Sequence, residues 1–186
     1  LDSRGDLHDR PLRELEATFQ SPRRYLEILV ALARGAQSWG GLAQAPGTGS
    51  GNTLAPYLAR LEAAGWVTVD EPLDGAPGGR RRRYRLADPF HDFWFAHVLP
   101  WRSLLPLVGP RAVYRERIAP HLLAHAARWL PELVRRWLAD HARERLPAPA
   151  REVGGLWADG VEIPVAARLR GGQMVYGVCD PGPGAE

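Results

Sequence analysis

Apolar residues recur at helical spacing through the first third of the chain and then change to alternation. Leu12, Leu15 and Phe19, three and four apart after Pro11, predict a short amphipathic helix. Ser21 and Pro22 read as an N-cap and a first-turn proline. Tyr25, Ile28, Leu29 and Leu32 then trace one helical face as far as Gly35. Ser38 predicts the cap of a third helix with Trp39, Leu42 and Ala43 inward, closed by the run from Pro46 to Gly51. A fourth helix is expected from a cap at Asn52, with Pro56 in its first turn. Leu54, Leu58 and Leu61 form its buried stripe, Thr53, Tyr57 and Arg60 lie on the other side, and Gly65 is its left-handed C-cap. Val67 and Val69 then alternate with Thr68 and Asp70, a strand pattern. After a turn-rich segment, Arg81, Arg83 and Arg85 alternate with Arg82, Tyr84 and Leu86, which predicts a second strand and a hairpin.

Helices followed by a two-stranded hairpin, in that order, define an N-terminal winged helix-turn-helix over residues 11–88, preceded by a polar linker at 1–10. Residues 89–180 read as a helical segment followed by a small β element, and 181–186 as a tail, so the expected class is α+β. Phe90, Phe93, Trp94, Phe95 and Trp101 read as core, and residues 111–145 as one or two Arg-rich helices broken near Pro120 and Pro131. Leu146 to Ala150 is a proline-rich connector. Val161 to Leu169 and Gln173 to Val178 are strand candidates turning at Arg170, Gly171 and Gly172.

Composition narrows the chemistry. All 24 basic residues among the 186 are arginine. A Walker A loop, a Schiff-base enzyme and a typical restriction-type nuclease site each need a lysine, so none is complete here. The glycine-rich GTGSGN stretch therefore reads as the turn before the fourth helix rather than a phosphate loop. The net charge is only +3, and residues 1–88 hold 12 arginines against 11 carboxylates, so the positive character is local to the hairpin. A single Cys179 excludes an internal disulfide and, with no signal-like opening and no apolar stretch long enough to span a bilayer, favours a cytoplasmic setting without membrane attachment. The first residue is Leu1 and the one methionine is Met174, the pattern expected of a fragment, a processed chain or a trimmed tag.

In a winged helix the helix after the turn enters the major groove, which makes Ser50, Asn52, Thr53, Tyr57 and Arg60 the candidate contacts to double-stranded DNA. On the wing, Arg80, Arg81, Arg82 and Arg83 would straddle the phosphate backbone or enter a minor groove, and Arg85 is a further candidate DNA contact. The competing reading is an arginine run that merely discourages edge pairing, on a module that contacts protein. His121 and His125 stand four apart, a metal-compatible spacing without a third ligand, and Cys179 has no nearby histidine. The residues thus offer no catalytic group, no metal site and no cofactor site.

The string YRLADPFHDFWFAHVLPWRSLL at residues 84–105 resembles the C-terminal region of archaeal-type P-loop ATPases, also found in bacteria. There a winged helix precedes an Asp-Pro-Phe and Phe-Trp-Phe motif. The resemblance reaches back through PLRELEATFQSPRRYLEILVALARG and YLARLEAAGWV. It implies an AAA-type module ahead of this region and a restriction-endonuclease-like domain after it. Against that pattern Pro164 replaces a metal-binding aspartate, Val178 a glutamate and Asp180 a lysine, and Leu130 and Pro131 replace an upstream Phe-Glu. Two carboxylates are needed to hold Mg²⁺ beside a scissile phosphate. The expectation is a degenerate, incomplete nuclease-like element without catalysis, and a residual nuclease would depend on Glu162 and Asp180. The alternative to DNA binding is a regulatory module that docks an ATPase domain or self-associates through residues 89–145.

Overall fold

Pro11 and Pro22 each fall in the first turn of a helix, where the missing N–H has no intrahelical partner to lose. They open α1 (Arg10–Thr18) and α2 (Pro22–Ala33) in the computed structural model, which describes residues 8–49, 51–76, 78–158, 160–177 and 179. Two compact units form: one from residues up to Asp70 together with Arg83–Leu122, the other from Glu71–Arg82 and Leu123 onward. The division does not follow the expected boundary at residue 88. The aromatic segment completes the first unit, and the hairpin's connecting loop belongs to the second.

In the first unit α3 (Trp39–Gln44) starts at Ser38, whose Oγ accepts from the Gly41 amide at 3.0 Å, as expected of its cap. By contrast, the Ser21 hydroxyl makes no capping bond at α2. Helix α4 (Gly51–Ala63) starts one residue before Asn52, which therefore lies inside the helix instead of capping it. Pro56 stands past the first turn and cannot donate to the Asn52 carbonyl. Gly65 does close α4 in the left-handed region at φ +75°, with the Trp66 amide donating back to the Leu61 carbonyl at 2.9 Å.

Strands β1 (Val67–Asp70) and β2 (Arg83–Leu86) pair antiparallel with Val67 opposite Leu86 and Val69 opposite Tyr84, so one face of the hairpin enters the core. The second strand is shorter than its alternation predicted, because Arg80, Arg81 and Arg82 precede it in the turn. Its free edge is met by the residues ahead of α3. Ser38 bridges Arg83, and the Tyr84 amide donates to the Gln37 carbonyl at 2.7 Å.

Asp88 caps α5 (Pro89–Phe93) by accepting from the Phe90 amide at 2.7 Å. Trp94, Phe95 and Val98 lie in the same core as Ile28, Leu29 and Leu61, so the aromatic stripe is core, as read from the sequence. Two π-helical segments follow a common logic: Trp94–Val98 ends two residues before Pro100, and Tyr114–Ile118 ends two residues before Pro120. A proline ring collides with the carbonyl four residues back, and the wider π turn makes room for it. The helix is therefore not broken at Pro120. It runs from α7 (Pro110–Val113) through the π turn into α8 (Ala119–Ala127), after the short α6 (Leu105–Val108). The break falls at Arg128 and Trp129, before α9 (Leu130–Arg145).

Residues 8 and 9, expected in a polar linker, are fastened to this core. The His8 carbonyl accepts from Trp94 Nε1 at 3.0 Å, and Asp9 accepts from Arg102 Nε at 2.8 Å.

The second unit packs α9 on an antiparallel sheet in the order β3 (Ala150–Ala158), β4 (Val161–Leu169), β5 (Met174–Gly177). The β4–β5 hairpin matches its sequence pattern, with Gly172 at φ +81° in the turn. Strand β3 was not foreseen. Pro164, unable to donate within the central strand, sits where the β3–β4 register shifts between Gly154 and Leu156. Its carbonyl accepts from Arg135 Nε at 2.7 Å, which ties α9 to β4.

Candidate nucleic-acid interface

Helix α4 is amphipathic in the strict sense that its inner stripe is closed. Leu54, Leu58 and Leu61 are 0%, 3% and 0% exposed, while Asn52, Thr53 and Arg60 are exposed and Tyr57 half-buried. The sequence-predicted contacts on this helix thus share its outer side, as the spacing required. Ser50 lies outside the described residues.

The turn that aims α4 is fitted to α2. The buried Thr48 hydroxyl bonds the Leu42 carbonyl and, at 2.8 Å, the Ala45 carbonyl, closing the C-terminus of α3. Gly47 and Gly49 hold φ of +81° and +85°. A Cβ on Gly47 would stand 2.6 Å from Glu27 Cδ, and one on Gly49 would stand 2.0 Å from Arg24 Nη1. Arg24 Nη1 donates to the Gly47 carbonyl at 3.2 Å, and its guanidinium lies 5.6 Å from the Tyr57 ring centroid. The glycines therefore serve close packing against α2.

On the same side of the unit the rings of Phe19 and Tyr25 stack with centroids 3.8 Å apart, and Tyr57 meets Tyr25 edge-on at 5.0 Å. Arg60 Nη1 donates to Tyr25 Oη at 3.3 Å, and this bond holds the guanidinium more firmly protonated than usual. These groups border a cleft of about 700 Å³ between the α1–α2 turn and the C-terminal half of α4. Sequence reasoning assigned Tyr25 to the core and Arg60 to the surface separately. Their juxtaposition crosses 35 residues and leaves no local signal.

The arginines of the predicted wing are not equivalent. Arg80 is exposed and Arg82 half-buried. Within the second unit Arg81 Nη1 donates to Asp74 Oδ2 and to the Trp157 carbonyl, both at 3.1 Å, and the Arg81 carbonyl accepts from Trp157 Nε1 at 2.6 Å. The Leu73 amide donates to the Gly155 carbonyl at 2.9 Å, and Arg168 donates to the Leu73 carbonyl. Residues 71–82 are thus built into the sheet at the β3 irregularity. In the first unit Arg85 pairs with Asp70 at 3.0 Å across the hairpin, a diagonal between neighbouring strands, and Arg83 lies opposite Asp70. Arg81 and Arg85, expected on phosphates, are engaged with carboxylates of their own units.

The other chemical candidates have structural surroundings. His121 stacks on His97 at 6.3 Å, and His125 is buried. Burial pushes the Cys179 thiol up, an effect that Arg135 only partly offsets, so less of it is thiolate at neutral pH than for a free cysteine. Pro164 occupies its bulge, while Val178 and Asp180 lie outside the described residues. Among the described residues no three His, Cys, Asp or Glu side chains gather as a metal site, and no helix is long and apolar enough to cross a membrane. Set against protein-family models, curated proteins and solved structures, the chain matches none.

Proposed function

We propose that the chain is a non-catalytic protein that binds double-stranded DNA as a winged helix, with α4 as the groove-reading helix and the β1–β2 hairpin as the wing. The observation that carries this reading is the outer side of α4. Asn52, Thr53, Tyr57 and Arg60 lie there on a helix that bears no carboxylate from Gly51 to Leu61, aimed by a turn fitted to α2. Polar and cationic groups on such a face suit base edges and phosphates. The bridge from Ser38 to Arg83 supports the same reading, because it joins the wing strand to the start of α3. Arg80, Arg82 and Arg60 are the cations assigned to phosphates, and Arg81 and Arg85 act through the framework. A free Cys179 fits a reducing, cytoplasmic setting.

Titrating a labelled duplex across salt concentrations tests it. Each phosphate contact adds about 0.9 to the log–log slope, so the three assigned cations predict about a fortyfold loss between roughly 50 and 200 mM salt. Replacing Arg60, Arg80 and Arg82 by Gln should weaken binding and flatten that slope. Unchanged binding, or no binding of the native chain to any duplex at low salt, overturns the reading.

A second reading, a regulatory C-terminal module of a P-loop ATPase that docks its partner or itself through residues 89–145, is favoured by exposed apolar side chains. Leu107 is 78% exposed in the first unit, and Leu133 and Trp137 are 58% and 45% exposed one turn apart on α9 in the second. Sedimentation across a wide concentration range tests the self-association arm. A mass that rises with concentration and reverts in Trp137→Ser supports it, and a constant monomer mass removes it.

A further inference from the structure

The cleft beside α4 joins Tyr57 and Arg60, both assigned to DNA, with rings and polar groups that the DNA reading does not use. It is bordered by three aromatic rings, Phe19, Tyr25 and Tyr57, and its lining carries a single charged residue, Arg60, with no carboxylate. Gln20 and Ser21 supply neutral polar atoms at its rim, and the Ser21 hydroxyl makes no capping bond to α2. The Tyr25 bond uses one N–H of a guanidinium that has five. Its volume, about 700 Å³, falls within the range of sites that take small organic molecules.

Aromatic walls select a planar ring by stacking and edge contacts, and a guanidinium fork selects a carboxylate through two parallel hydrogen bonds. We propose that this cleft is a receptor for a small planar aromatic carboxylate, seated with its ring against Tyr57 and Phe19 and its carboxylate on Arg60. Because Tyr57 and Arg60 are also assigned to DNA, an occupied cleft competes with the duplex. That consequence, unlike the site itself, rests on the DNA reading.

The probes are benzoate and salicylate, with acetate as the anion lacking a ring and benzyl alcohol as the ring lacking an anion. Heteronuclear NMR of the full chain follows their addition. The two aromatic carboxylates should give saturable shifts at Tyr57, Arg60 and Ser21, and both controls should bind at least tenfold more weakly. Arg60→Gln and Tyr57→Ala should each weaken benzoate at least tenfold while amide shifts remote from the cleft stay in place, which separates loss of the site from loss of the fold. No saturable shift with either carboxylate, acetate binding as tightly as benzoate, or unaltered binding in both variants overturns the site. A saturating carboxylate should also raise the duplex Kd at least threefold. Benzoate binding with the duplex Kd unchanged overturns the competition alone, and benzoate binding by a chain that binds no duplex retains the site while removing the DNA reading.

Discussion

Thr48 shows how one hydroxyl sets the aim of a helix. Its side chain is fully buried and satisfies two carbonyls at the end of α3, just where the chain turns toward α4. Valine at this position would keep the shape and leave both carbonyls without that partner, which costs about 1–3 kcal/mol. Thr48→Val should therefore lower the urea midpoint without altering the slope of the transition, and Thr48→Ser should recover most of the loss. A Val variant as stable as the native chain would show that the turn is held by other contacts. Gly49 is the complementary case, since its role is the absence of a side chain. At φ +85° a Cβ is strained and would displace Arg24 from the Gly47 carbonyl, so Gly49→Ala should cost about 1–2 kcal/mol by the same assay. A cost near zero would mean that the turn can reshape.

At the scale of elements, the loop of residues 71–82 departs most from its sequence reading. Arg81 looked like a wing cation because its neighbours are arginines. Its guanidinium and its carbonyl are both committed to Trp157, 76 residues away. Arg81→Ala should speed hydrogen exchange at the Leu73 amide, which rests on the Gly155 carbonyl, and Arg80→Ala should not. Equal exchange in the two variants would deny Arg81 its anchoring role. What was legible in the sequence was what local chemistry decides: the α2 stripe, the Ser38 cap, the Gly65 stop, the alternation of Val67 and Val69, and the turn at Gly172. Strand β3 was hidden because Gly154 and Gly155 erase alternation at its middle. A side chain would be crowded at both, since a Cβ on Gly155 would stand 2.5 Å from Arg135 Nη2 and one on Gly154 3.0 Å from Leu73 Cδ2. The helix through Pro120 was hidden because the π turn that accommodates the ring has no signature in residue type. The outer side of α4 was legible from period alone, whereas the cleft beside it depends on Phe19 and Tyr25 arriving from another helix.

For the molecule as a whole, charge has an asymmetry that follows from composition. Arginine keeps its proton throughout the range in which lysine discharges, and all 24 residues of the Lys and Arg type are arginine, so the arginine side of each Arg–carboxylate pair persists there. The acidic side does titrate. Hydrogen bonding from Arg102 holds the Asp9 carboxyl below its ordinary range, and Arg10, helped by His91, does the same for Glu14. A carboxyl lowered by folding contributes stability that is fully present above its unfolded value, about 4, and that is lost as the pH falls through the lower folded value. Both side chains are more than a third exposed, at 41% and 36%, so water screens the pairs and the contribution is modest. An Asp9→Asn, Glu14→Gln chain should then show a lower urea midpoint than the native chain at neutral pH and converge with it near pH 2. A gap that persists in acid would assign the loss to packing of residues 8–14 against Trp94 and His91 instead of to charge. On the alkaline side the proposed DNA reading predicts that duplex affinity at fixed salt stays level from pH 7 to about pH 9, because the arginines assigned to phosphates keep their protons there. A fall across that interval would place the binding on a group other than the arginines.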